Sequence, residues 1–433
     1  MFEGFRAIEF PGGPEDAGLG RLYRDANEII VSSITANMPE EAVKNALAGR
    51  NFQRKACLIA IGKAAWSMAR AAFDGLGGRV GSGIVITKYG HSGGPIGDFE
   101  IFEAGHPITD ENSVAATERA IGLASGLGES DELIFLVSGG GSALFEKPLP
   151  GVTLGDIARL SAKLLESGAD ISEVNTVRKR LSAVKAGRFA EICGLARVFS
   201  VVLSDVIGDR LDIIASGPAA PDLTTARDAW GVVERYGIPV PEAIGKCLDL
   251  ATPKETPNVT SVVTGSVRTL CGAAEGAARS LGYEPFVLST EMNCEAAEAG
   301  RLIASVARAV KSGDSSIKPP CAVIFGGETV VRVRGGGVGG RNQELALAAS
   351  VGIDGLDGTV IFSFGSDGTD GPTDAAGGIV DGRVAGELRE LGLDPRRFLE
   401  NNDSHAALKK LRRLVVTGPT GTNVNDISVI LSS

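Results

Sequence analysis

Short apolar runs alternate with segments of helical period along this chain, and that alternation constrains its fold more than any single motif. "CLIAIG" precedes "KAAWSMARAAFDGL", "FEIFEAG" precedes "DENSVAATERAIGLASGLG", and "ELIFLVSGGG" precedes "GDIARLSAKLLESG". Continuous apolar strands separated by helices predict βαβ units and a parallel sheet covered on both faces. The expected class is therefore α/β, with mostly parallel sheets flanked by helices. A length of 433 residues exceeds one ordinary core, and two domains are expected.

The string "LATPKETPN", residues 250–258, lacks periodicity and gathers Pro, Thr and Lys, so it reads as a linker. It sets the expected domains at 1–255 and 256–433. A second series follows it: "VTSVVTG", a helix near 267–281, "EPFVLST", a helix near 294–312, "CAVIFGGE", "TVVRVR" and "GTVIFSFGSDG". A first helix near residues 20–48 fits either half.

A formal net charge of −10 and the lack of any long Lys/Arg run argue against nucleic acid as a partner. No apolar run reaches the roughly 18 residues of a membrane span. The opening "MFEGFRAIEFPGG" carries acidic residues and a Pro-Gly break, unlike a signal or transit peptide, so a cytoplasmic protein is expected. The six cysteines lie far apart and read as buried, reduced thiols.

Glycine-rich turns at strand ends carry the candidate chemistry. In "LVSGGGSAL", Gly139, Gly140 and Gly141 follow a buried strand, where backbone N–H groups face a phosphate or carboxylate and Ser138 and Ser142 add hydroxyl donors. No Lys-Ser or Lys-Thr closes this turn, so it is not a Walker A loop, and Leu144 excludes a G-x-S-x-G elbow. Lys63 follows "CLIAIG" and opens a helix, a position suited to an anion although a plain solvated lysine also fits. His106 sits after a strand and before a capped helix, as a loop histidine or one lining the site.

"NTVRKRLSAVKAG" places Asn175, Arg178 and Lys179 at helical offsets, with Lys185 about two turns on, as a basic face in an acidic protein. Asp205 and Asp209 follow another strand as candidate Mg²⁺ ligands. The second half offers Glu328 in "GGET", Asp370 in "SFGSDGTDGPTD", and Arg341 with Asn342 in "GGRNQE". A planar guanidinium at a glycine-loop mouth suits a carboxylate or a transferring phosphoryl group. Gly335, Gly337 and Gly340 spell G-x-G-x-x-G, but the preceding Val/Arg alternation suggests a half-exposed strand rather than the buried one of a dinucleotide fingerprint.

Taken in order, "IGKAA", "AGHPITDENS", "VSGGGSAL", "SGADISEVNTVRKRLSAVKAG", "LSDVIGDRLDIIASGP", "GGETVV", "GGRNQELALAA", "DGTDGPTDAAG" and "TGPTGTNVNDI" resemble the glycerate 2-kinase family. The resemblance covers about residues 20–430. It implies a Rossmann-like first domain, a second domain of the type called MOFRL, and an active-site cleft between them. It also implies phosphorylation of D-glycerate at its 2-hydroxyl, giving 2-phosphoglycerate and ADP, with ATP and Mg²⁺ as cofactors. Lys63 and Arg341 fall on the family's proposed catalytic positions. Arg180 stands where a histidine is common in the family, which bears on substrate detail. Some members carry the older label of hydroxypyruvate reductase, so an NAD(P)H-dependent reductase is the alternative activity, and a non-catalytic sugar-acid sensor is a further one. The expected partner is a small-molecule substrate, with no nucleic acid and no membrane; a homodimer is compatible with this.

Overall fold

The computed structural model describes residue 7 and residues 17–50, 52 and 55–433. Apart from Ala7, the opening "MFEGFRAIEFPGG" lies outside the described residues. The chain divides into two compact units: one is Pro39–Thr264, and the other joins the segment up to Met38 with Gly265–Ser433.

In the first unit, β1 (Ala56–Ile61), β2 (Val80–Lys88), β3 (Glu100–Ala104), β4 (Glu132–Val137), β5 (Arg197–Leu203) and β6 (Val259–Gly265) form a six-stranded sheet. Its order is β3-β2-β1-β4-β5-β6, and the pairings from β3 to β5 are parallel. This is the strand order of the doubly wound dinucleotide-binding sheet. The central strands are apolar at nearly every position because helices cover both faces; Leu133 to Val137 of β4 are all buried. Beneath the end of β4, Phe189 packs against Phe135 and Phe145 with ring centroids 4.8 and 5.1 Å apart. A second apolar cluster joins helices Leu154–Glu166, Ile171–Arg178, Ala226–Arg235 and Glu242–Asp249.

The expected linker is part of this first unit. Asn258 donates to the carbonyls of Ala190 and Gly194 at 3.0 and 3.1 Å, and its own carbonyl accepts from Val198. "VTSVVTG", expected to open the second domain, instead forms β6 beside β5. The division thus falls near residue 264 rather than 255.

The second unit contains β7 (Glu284–Met292), β8 (Cys321–Gly327), β9 (Thr359–Gly365), β10 (Gly377–Asp381), β11 (Leu414–Val415) and β12 (Asp426–Ser432), in the order β11-β10-β9-β12-β8-β7. β7, β8, β9 and β11 run one way, while β12 and β10 are inserted between them in the opposite direction. Only β7–β8 is therefore a parallel pairing among those formed, a mixed pattern within an α/β fold. "TVVRVR" is not a strand: Val330 makes one isolated bridge to Glu295, and Val333 is 76 % exposed.

The first helix is two helices, Ala17–Ala36 and Pro39–Leu47, and they separate at the division between units. The longer one packs in the second unit through Leu22, Ile29, Ile30 and Ile34. Its polar groups are anchored there too: Tyr23 donates to Asp381 at 2.9 Å and Asp25 accepts from Tyr283 at 2.6 Å. No described helix is long and apolar enough to cross a membrane. Cys193, Cys247, Cys271 and Cys321 are buried free thiols, whereas Cys57 is half-buried and Cys294 exposed, departing from the expectation for all six.

Candidate functional site

The strand order of the first sheet reverses between β1 and β4, and their carboxyl ends open the crevice in which doubly wound sheets bind ligands. Lys63 follows β1 and the Ser138–Ser142 turn follows β4, so the topology brings two distant motifs together. The Lys63 N–H donates to Gly139 O at 2.9 Å, the Ser138 N–H to Ile61 O at 3.0 Å, and the Ala64 N–H to Ser138 Oγ at 3.1 Å. Ser138 is therefore a brace between the turns, buried to 3 %. His91 Nδ1 lies 3.2 Å from the Lys63 carbonyl oxygen.

Within the turn, Gly140 has φ +84° and caps the short helix Gly141–Leu144. A Cβ there would lie 2.9 Å from the His106 ring and 3.2 Å from Lys63 Cγ, so glycine is required on both counts. A Cβ on Gly139 would collide with the carboxylate of Asp205, which places that acid against the turn. Among the described residues, the N–H groups of Gly139, Gly140 and Ser142 have no hydrogen-bond acceptor and the half-buried Lys63 ammonium has no carboxylate partner. Burial, then the charge of Lys63, lowers the His106 pKa below its ordinary value and so favours the neutral ring.

The expected basic face divides into different roles. The helix ends at Arg178 and continues as a 3₁₀ turn, Lys179–Leu181, so Lys185 is not on its face. Arg178 donates to Asn175 Oδ1 at 3.0 Å and Ser216 Oγ at 3.4 Å, and Ser216 Oγ lies 3.0 Å from Ser142 Oγ. Lys179 turns the other way, buried to 3 % and paired with Asp222 at 2.6 Å. Arg180 is 1 % exposed and donates to the carbonyls of Leu250 and Thr224 at 2.9 and 3.0 Å. Lys185 donates to the Ser142 carbonyl at 2.6 Å and pairs with Glu146.

In the second unit, Arg341 opens helix Arg341–Gly352 and makes a bidentate pair with Asp426, at 2.5 and 2.9 Å, plus a 2.9 Å contact with Glu328. Burial lowers the Arg341 pKa, but the Asp426 hydrogen bond and charge outweigh it and hold the value above the ordinary one. Burial raises Asp426 against the pull of Arg341. Asp370 accepts the N–H groups of Asn342 and Gln343 at 3.1 and 2.9 Å, capping this helix with a carboxylate of the chain itself. Its pKa is raised by burial, with the Gln343 and Asn342 hydrogen bonds acting against that. Asn342 is 1 % exposed and accepts from Ser363 at 2.6 Å. Asp370 and Asn342 are thus committed to holding the helix start that presents Arg341.

The G-x-G-x-x-G stretch is likewise satisfied internally. Asn402 Oδ1 accepts from Gly335 N–H at 3.0 Å, Asn401 Oδ1 from Gly336 at 3.2 Å, the Asn401 carbonyl from Gly337 at 2.9 Å, and Asp403 from Val338 at 3.1 Å. A dinucleotide pyrophosphate needs such donors free. The turn after β1 reads Gly62-Lys63-Ala64-Ala65, without the three-glycine fingerprint.

Asp205 and Asp209 lie in one loop, Asp209 with φ +53°. Among the described residues no group of three or more His, Cys, Asp or Glu side chains is placed to hold a metal ion. Mg²⁺ is commonly held by one or two carboxylates with phosphate oxygens, and the Asp205 carboxylate packed against Gly139 fits that pattern. Sequence reasoning missed Asp426, Glu146 and Ser216. Asp426 immediately precedes the apolar run "ISVIL", which was its one visible signal.

An unpaired lysine and free N–H donors at the switch point of a doubly wound sheet define an α/β protein suited to a small anionic ligand. Residues 25–249 match a family model described as a domain of unknown function, DUF4147, and residues 321–426 match the MOFRL family. The chain is 54 % identical, over 94 % of its length and 98 % of the relative, to D-glycerate 2-kinase of Thermotoga maritima. A relative in Agrobacterium vitis, 40 % identical over 93 % of either chain, is provisionally named a hydroxypyruvate reductase. The crystal structure of a Thermotoga maritima glycerate kinase superposes with a TM-score of 0.93, at 53 % identity over 95 % of this chain and 99 % of that one. The chain belongs to the glycerate 2-kinase family.

Proposed function

We propose that the protein transfers the γ-phosphoryl group of ATP to the 2-hydroxyl of D-glycerate, giving 2-phosphoglycerate and ADP. The observation that carries this reading is the unpaired Lys63 beside the free Gly139, Gly140 and Ser142 N–H groups, in a chain of this family. Phosphoryl transfer needs positioning and charge neutralisation more than a covalent nucleophile. In the reaction a bond forms between the glycerate O2 and the γ-phosphorus as the bond to the ADP oxygen breaks. The turn's N–H groups and Lys63 receive an anionic group; His106, neutral, adds a hydrogen bond without a second charge. Asp205, with Asp209 in the same loop, would hold Mg²⁺, which would supply charge neutralisation.

Arg341 is the second charge-neutralising residue. Asp426 fixes one edge of its guanidinium, while its contact with Glu328 is partly exposed and open to competition from an anion. The test is glycerate-dependent ADP formation. Lys63→Ala and Arg341→Ala are each expected to lower kcat by about 10²-fold or more, as on losing a preorganised charge-stabilising donor. Near-wild-type turnover in both folded variants would reject the assignment. The reductase reading is disfavoured by the internally satisfied 335–338 N–H groups, and it requires glycerate-independent oxidation of NADPH by hydroxypyruvate.

A further inference from the structure

Beneath the glycine turn lies a buried charge cluster with no direct place in the chemistry above. Lys185 is 0 % exposed and Glu146 is 2 % exposed. The Lys185 ammonium donates both to Glu146 and to the Ser142 carbonyl, the latter at 2.6 Å. Glu146 Oε1 has no hydrogen-bond partner. Two cations, Lys185 and Arg178, act on this single carboxylate, so the cluster holds one net positive charge. A buried ion pair is weak evidence for stability, since desolvation offsets its attraction, and an apolar pair of like volume fills the same space.

Both of its cations reach the last residue of the turn. Lys185 holds the Ser142 carbonyl, and Arg178 reaches the Ser142 hydroxyl through Ser216. The Ser142–Ala143 peptide is fixed at its other side too, because the Ala143 N–H donates to Gly140 O at 3.1 Å. The segments that carry Lys185 and Ser216 are joined by Ala186 N–H to Ser216 O at 3.0 Å and Gly187 N–H to Gly217 O at 2.8 Å. Ala186, Ala215 and Ser216 have φ of +56°, +51° and +63°, values that non-glycine residues hold only where their surroundings enforce them. Two unusual backbone segments are thus locked together directly under one peptide plane.

We propose that Lys185 is a positioning residue: by holding the Ser142 carbonyl it keeps the Gly139, Gly140 and Ser142 N–H groups turned toward a ligand carboxylate or phosphate, and Glu146 keeps it charged for that task. The identity of the ligand rests on the kinase reading; the positioning role does not. Burial pulls Lys185 down to about 8, Glu146 works against this, and Arg178 adds to it. Removing the Glu146 charge therefore makes Lys185 lose its proton at lower pH.

Lys185→Met alone strands a buried carboxylate and risks unfolding, so Glu146→Gln and the double variant Lys185→Met/Glu146→Gln decide the matter. Each is assayed for thermal unfolding, for kcat and KM with D-glycerate and ATP, and calorimetrically for affinity toward ATP and toward D-glycerate. The double variant is expected to unfold near the wild-type temperature yet to lose about 10- to 100-fold in kcat/KM, the scale of a misplaced site. Glu146→Gln retains an acceptor for Lys185, and the alkaline limb of its kcat/KM profile is expected at lower pH than in the wild type. A double variant with wild-type kcat/KM and affinity, or an alkaline limb that Glu146→Gln leaves in place, would overturn the proposal. If the wild type transfers no phosphoryl group, the kinase reading fails, and calorimetry alone decides: weakened binding in the double variant upholds the positioning role, unchanged binding removes it. A wild type that binds neither compound defeats both.

Discussion

Lys63 and Arg341 show how environment, more than residue type, sets what a cation does. Lys63 forms no ion pair among the described residues, whereas Arg341 is shared by Asp426 and Glu328. His106 reports on this field. Its folded pKa lies below its unfolded value, so stability from its neutral ring is present above the unfolded value and is lost as pH falls from there through the folded one. With three histidines in the chain, NMR titration resolves it; its midpoint is expected below that of a free imidazole and is expected to rise in Lys63→Met. An unchanged midpoint would show that Lys63 does not charge this pocket. At this scale the sequence brought out Lys63 and the three glycines, which follow strand ends, and Arg341, which opens a helix. It could not separate Arg178, Lys179 and Lys185, because the helix stops at Arg178 and the three cations go to three different partners.

At the scale of elements, apolar runs located most strands because burial on both faces leaves little room for polar residues. Direction was not legible in them: β12 is buried throughout as β8 is, and only the pairing shows that they run antiparallel. The expected linker misled for a related reason. "LATPKETPN" has loop composition, yet Lys254 Nζ donates to Asp222 O at 2.9 Å, and Asp222 N–H donates to Pro253 O at 2.9 Å. Trypsin is therefore expected to spare Lys254 in the native protein; rapid cleavage there would restore the linker reading. Below the glycine turn, Phe189→Ala is expected to cost about 3–5 kcal/mol, read as a lowered denaturant midpoint, because it empties space between Phe135 and Phe145. Asp110 caps helix Glu111–Ser125 by accepting from Ser113 N–H at 2.9 Å, and Asp110→Ala is expected to cost about 1 kcal/mol by the same measure.

For the whole molecule, the sequence order of the motifs carried the family, and the α/β class followed from alternation. The division into units did not follow, because the partner of the first helix depends on distant groups: Asp381 and Tyr283 lie more than 250 residues beyond Tyr23 and Asp25. Nor did the sequence show that a dinucleotide-like glycine string has its N–H groups consumed by Asn401, Asn402 and Asp403. A net charge of −10 makes the local positive field around Lys63 the feature a small anion would seek. The most direct test of the central claim is a ³¹P NMR time course of the purified protein with D-glycerate, ATP and Mg²⁺, its product compared with authentic 2- and 3-phosphoglycerate. Growth of the 2-phosphoglycerate resonance alongside ADP is the predicted result. Accumulation of the 3-isomer, or no transfer from well-folded protein, would contradict it.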